Sequence, residues 1–225
     1  MEALLSVSTT SVPKARWLAG CLIAVLSLVA GCGPSEVVVK GEFPPPTMEK
    51  LPLTIGVWYA PEFANHEFFD EATSRAESSW LVKSGEAQVQ MWDVLLAGMF
   101  TKVVPLAERP GPGQGKASVD AVLIPEVVEL QYALPAQTNV KVYEIWIRYR
   151  LQLVTSGGDP IADWNMSAYG KTPTALLQTD QSAVNLAAVM ALRDAGANFA
   201  TSFGRVPEVQ AWLQRVHGST EEAEL

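Results

Sequence analysis

Histidine is nearly absent from this 225-residue chain, which has only His66 and His217, and the only two cysteines are Cys21 and Cys32. Neither histidine has cysteines or a carboxylate cluster beside it at metal-ligand spacing. No metal or other cofactor is therefore expected. No G-x-S-x-G stretch occurs, and no Ser-His-Asp set can be assembled from the order of residues, so an enzyme is not expected. Positive charge is also scarce, since 16 Lys and Arg stand against 24 Asp and Glu, a net −8. That balance argues against DNA, RNA or anionic lipid as the main partner, because phosphate binding needs clustered Lys and Arg. Charged residues make up only 18% of the chain, too little for a disordered acidic protein. With 48% apolar residues there is enough to bury a core. The loop Gly111-Pro-Gly-Gln-Gly-Lys116 lacks what a phosphate loop needs: Pro110 stands where the first glycine belongs, and Ala117 replaces the hydroxyl residue.

What the chain does have is a leader. Lys14 and Arg16 precede the apolar run Trp17–Ala30. The run is shorter than the roughly 20 residues of a membrane span. A basic start, an apolar centre and small residues before a cut site describe a secretory signal over residues 1–31. Val29-Ala30-Gly31-Cys32 closes that run and resembles the lipobox of bacterial lipoproteins. In that family the cysteine receives a diacylglycerol and becomes the first residue after cleavage. The resemblance thus implies that Cys32 is lipidated and tethers the chain to a membrane; the competing reading is an ordinary signal peptide followed by an unrelated cysteine. Cys21 would leave with the leader, so the mature chain could form no internal disulfide. Two or three acyl chains anchor firmly where one binds only marginally. No aspartate follows the cysteine (Gly33 and Pro34 do), which in Gram-negative lipoproteins implies the periplasmic face of the outer membrane.

Residues 32–50 read as the lipidated cysteine and a tether, with Pro44-Pro45-Pro46 favouring an extended spacer rather than packed structure. Residues 51–217 read as a single periplasmic domain, and 218–225 as an acidic, frayed tail. In the body, Leu51 to Tyr59 alternates as a strand. Val89, Trp92, Leu96 and Met99 share a helical stripe, with Ser84 as N-cap. Val119–Leu134 is a strand with a kink or bulge expected at Pro125. Lys141–Val154 and Ile161–Gly170 form a hairpin around Ser156-Gly-Gly-Asp159. Matching their apolar faces across a four-residue turn pairs 153 with 162, 151 with 164 and 149 with 166. Asp180 reads as the N-cap of a long helix ending at Gly204, and Pro207 as the start of a last helix. The expected fold is α+β, a mostly antiparallel sheet with helices packed on one face.

The same register puts Trp146, Arg148 and Arg150 on one outer face, with Tyr169 and Asn165 beside them. Exposed Trp, Tyr and Arg are the residue types that dominate protein–protein hot spots. The other reading of that face is that a helix covers Trp146, or that the arginines pair with Asp163 and Glu144. The body's element order is similar to that of small α+β envelope lipoproteins of lipopolysaccharide-assembly and curli-secretion systems. That resemblance carries no binding residues, but it implies a non-catalytic interaction or assembly module with an envelope protein partner. The alternative is a binder of a small apolar or glycan ligand in a groove between the sheet and the long helix.

Overall fold

The computed structural model describes residues 34–71, 79–111, 118–133, 142–173 and 179–223. The leader, Cys32 and residues 112–117 of the glycine-rich loop lie outside them. Met1–Pro34 and Ser35–Leu225 are separate compact units, the second holding both sheets.

Its elements run β1 (Ser35–Val38), β2 (Leu51–Val57), α1 (Pro61–Ala64), β3 (Glu67–Asp70), β4 (Trp80–Lys83), α2 (Gly85–Met99), β5 (Phe100–Pro105), β6 (Ala121–Ala133), β7 (Val142–Val154), β8 (Pro160–Pro173) and α3 (Asp180–Ser202). A 3-10 turn, Phe203–Arg205, then leads into α4 (Pro207–Ala223). The fold is α+β with two sheets, in the orders β1-β4-β3 and β5-β2-β6-β7-β8. Both are mixed, which corrects the expectation of a mostly antiparallel sheet: β2 runs parallel to β5 and β6, and β1 parallel to β4. Parallel neighbours need a long crossover, and α2 supplies one between β2 and β5.

The β6–β8 part is an antiparallel meander, and its hairpin register is the expected one, including Leu153 with Ala162, Leu151 with Trp164 and Tyr149 with Met166. Gly158 turns the chain at a φ of 90°, which only glycine adopts without strain. The irregularity in β6 falls between Val127 and Glu129, past the expected Pro125. Pro125 is tolerated because β2 pairs with β6 only as far as Leu123, so no ladder donor is needed there.

The segment expected to be a spacer is packed instead. Val37, Val39 and Phe43 are buried in the main core. Lys40 exchanges hydrogen bonds with the Asn185 side chain, and Arg193 donates to the Glu42 carbonyl. Residues 35–43 thus belong to the folded body, which begins well before Leu51.

Helix α2 buries Met91, Trp92, Leu95, Leu96 and Met99. Trp92 meets Tyr149 of β7 and Phe199 of α3 edge-on, with ring centroids at 5.9 and 4.9 Å. Offset and edge-on aromatic pairs of this kind add to the burial they bring. Helix α3 is capped by Thr179, whose hydroxyl accepts from the Ser182 amide at 3.2 Å, so Asp180 is its first residue rather than its cap. Gly204 does not stop the chain in a left-handed turn; it sits inside the 3-10 turn, where Phe203 packs on Phe100 at 5.4 Å. Helix α4 runs on to Ala223, beyond the boundary expected at His217.

Candidate interaction face

Alternation along β7 sorts its side chains cleanly. Tyr143, Ile145, Ile147, Tyr149, Leu151 and Leu153 are buried, and between them Trp146, Arg148 and Arg150 stand exposed. Helix α3 packs on β7 and β8, against the face that carries the buried set. Trp146 is 39% exposed, so no helix among the described residues buries it, against the reading that a helix covers it.

Four successive rows of this outer face carry the expected residues. Gln131, Trp146 and Tyr169 form the first, and Glu129, Arg148 and Ser167 the second. Glu126, Arg150 and Asn165 form the third, and Ile124, Gln152 and Asp163 the fourth. The Trp146 and Tyr169 rings lie 5.1 Å apart at a 35° tilt, a cross-strand aromatic pair. The Tyr169 hydroxyl donates to Glu144 at 2.7 Å, and that hydrogen bond, more than burial, pushes its pKa up to about 12.

Both arginines have carboxylate partners. Arg148 pairs with Glu129 at 2.5 Å, through the row that the β6 bulge creates. Arg150 forks onto Asp163, with Nε 3.0 Å from Oδ1 and Nη2 2.6 Å from Oδ2. That fork is the main reason the Asp163 carboxyl stays charged to lower pH than usual. The expected pairing with Asp163 is therefore present; Glu144, the other expected partner, takes Tyr169 instead. The network continues through Gln152 to Arg109, whose guanidinium lies 5.8 Å from the centre of the Trp58 ring. A shallow depression of about 250 Å³ opens between the Trp146 and Arg148 rows, lined by Glu129, Gln131, Trp146, Ile147, Arg148 and Ser167.

The free edge of β8 is partly closed. The Tyr169 amide donates to Asp194 at 2.9 Å, and Asn198 donates to the Ser167 carbonyl at 3.1 Å. Two α3 side chains thus occupy backbone groups that would otherwise offer a pairing edge, and they hold Tyr169 in place. Sequence reading missed Asp194 and Asn198; their spacing of four on one helix face was the available signal.

A cleft of about 370 Å³ brings together Trp58, Glu62, His66, Arg109, Glu126 and Gln152. Glu126 is exposed, as the outward reading of that residue requires. His66 Nδ1 lies 2.8 Å from the Ser84 hydroxyl, which also accepts from Gln88 at 3.0 Å. Ser84 therefore spends its side chain on His66 and Gln88 rather than on capping α2. Among the described residues no group of three His, Cys, Asp or Glu side chains is placed to hold a metal, and no helix is long and apolar enough to cross a membrane. At Gly170, β8 and α3 meet at backbone distance, which leaves no groove between sheet and long helix at that point.

No protein-family model matches the sequence, and no curated protein matches it. Among solved structures, a Xanthomonas campestris protein of the DUF330 family superposes with a TM-score of 0.53 at 13% identity, over 80% of this chain and 99% of that one. A minor lipoprotein from Acinetobacter baumannii matches at 0.37 and 12% identity, over 68% of this chain and 92% of its own. Lipoprotein B from Nitrosomonas europaea matches at 0.37 and 14%, over 74% and 90%. The first gives this α+β fold a counterpart in a bacterial protein, at an identity that speaks to fold alone.

Proposed function

We propose that this chain is an envelope lipoprotein that acts without catalysis, as an interaction module held to a membrane by acylation at Cys32. The leader and Val29-Ala-Gly-Cys32 support the anchor. The periplasmic face of the outer membrane is the placement that Gly33 and Pro34 favour. The observation that carries the module reading is the outer face of β6–β8: an exposed Trp146 against a half-buried Tyr169, on a sheet whose edge is clamped by Asp194 and Asn198. Rigid aromatic side chains presented at low entropic cost are what a docking face needs. Arg148 in the next row, and Arg150 and Asn165 in the row after it, continue the face as a polar flank on one side of the pair. The backbone approach at Gly170 leaves no room for a ligand groove between sheet and helix at that point.

A photo-crosslinking amino acid at Asn165 tests the docking reading in intact cells. A discrete crosslinked envelope protein is expected, and it should disappear when Trp146→Ala is added. A crosslink that survives Trp146→Ala unchanged would move the interface elsewhere. Acylation is tested separately by radiolabelled palmitate, which should enter the wild type and not Cys32→Ser.

A further inference from the structure

We infer that the outer face of the β1-β4-β3 sheet, at the end where the chain enters it, rests on the lipid surface with Phe69 at the headgroup level. The inference rests on the acylation of Cys32 proposed above. Only Gly33 and Pro34 separate Cys32 from Ser35, the first residue of β1. An extended chain advances at most about 3.6 Å per residue, so Ser35 stays within roughly 11 Å of the acylated cysteine. Pro44–Pro46 cannot lengthen this reach, because they follow β1 and line a groove with Met91, Leu95 and Ala200. The folded body has no spacer.

The register decides which side chains come along. Glu36, Leu81 and Phe69 form one row across the sheet, and Val38, Lys83 and Glu67 the next row outward-facing on the same side. Phe69 is 56% exposed, the highest value among the large apolar side chains described, and Val38 is 41% exposed. The backbone beneath Phe69 is fixed from behind. Phe68 meets Tyr132 edge-on at 5.6 Å, and Asp70 accepts the Tyr132 hydroxyl at 2.7 Å. An aromatic ring held outward and within reach of a bilayer sits where interfacial aromatic residues belong. Charge selects the kind of surface. Lys83, the one cation in these two rows, lies 2.9 Å from Glu36 and 3.9 Å from Glu67. The face suits a zwitterionic surface and gains nothing from an anionic one.

Acylated Cys32 leaves the mature chain without a free thiol, so Phe69→Cys, Val38→Cys and Ser156→Cys each create one labelling position. Ser156 lies in the β7–β8 turn beyond Val154, whose partner Val122 is ten residues along β6 from Tyr132. At about 3.4 Å per residue that end of the sheet is roughly 34 Å away. The processed, full-length lipoprotein, carrying a fluorophore at each position in turn, is reconstituted into phosphatidylcholine vesicles with brominated acyl chains. Quenching at 69 and at 38 should be several-fold that at 156, and added phosphatidylglycerol should not strengthen it. Equal quenching at all three positions overturns the inference and leaves acylation standing. Stronger quenching with phosphatidylglycerol contradicts the choice of surface. Mass analysis of the mature amino-terminal peptide is the separate arm: an unacylated cysteine overturns the anchored-lipoprotein reading, and this inference with it.

Discussion

Gly170 of β8 lies against Ala191 of α3 so closely that a methyl group on Gly170 would stand 2.2 Å from the Ala191 nitrogen and 2.1 Å from the Ala187 carbonyl oxygen. Helix and strand meet there backbone to backbone, which the small residues Ala187, Ala188, Ala191 and Ala195 make possible. Gly170→Ala should therefore push α3 off the sheet. Overpacking of a filled core costs typically about 1–3 kcal/mol, and here the obstructing atoms are backbone and cannot rotate aside. A urea midpoint clearly below wild type is expected. An unchanged midpoint would mean that α3 stands further from β8 than described.

The packed segment ahead of Leu51 makes a second expectation. Phe43 is buried, and Val37 and Val39 share the main core with α3. A chain begun at Leu51 would lose β1 and uncover that side of α3, so it should unfold at lower urea than one begun at Ser35 or fail to fold. Phe43→Ala in the longer chain should cost about 3 kcal/mol, the low end of the usual range for emptying a buried phenylalanine site. If the two lengths were equally stable, residues 35–50 would be the spacer that their proline triplet suggests.

That segment shows where sequence reading stops. Glu36-Val-Val-Val-Lys40 has no visible alternation, because all three central residues are valine, yet Val37 and Val39 point inward and Val38 outward. Strand direction was equally hidden: Leu53, Ile55 and Val57 alternate the same way whether β2 runs with or against its neighbours. The β7–β8 register was legible, because two strongly alternating strands and a short turn leave one pairing that keeps both apolar faces inward. The Trp146–Tyr169 pair follows from it. The partner of Arg148 does not, because the bulge in β6 places Glu129 opposite it where a regular ladder would have put Val128.

His66 gives the pH dependence a sign. Burial lowers its pKa below the ordinary value, and its Nδ1 faces the Ser84 hydroxyl. A group whose folded pKa is depressed contributes stability that is present above the unfolded value, about 6.5, and lost as pH falls through the folded one. The unfolded chain takes up the proton first. Urea unfolding at pH 7.5 and pH 5.5 should show a loss of stability at the lower pH, and the loss should shrink in His66→Gln. A pH difference of the same size in both proteins would assign it to the carboxylates instead.

The arginine pairs allow structural and docking roles to be told apart. Arg148 and Arg150 are exposed and face Glu129 and Asp163, and exposed ion pairs contribute little to stability. Arg148→Glu with Arg150→Glu sets like charges beside both carboxylates, so the melting temperature should fall by only a few degrees. The crosslink from Asn165 should nonetheless be lost, since charge reversal on a docking face acts on the partner as well as on the neighbour. Arg148→Glu with Glu129→Arg then restores the ion pair while exchanging its ends. If the pair matters only to the fold, this exchange restores everything that Arg148→Glu alone removes. If the face recognises a partner, stability returns and the crosslink does not, because the positive charge now sits one strand away from where the partner meets it.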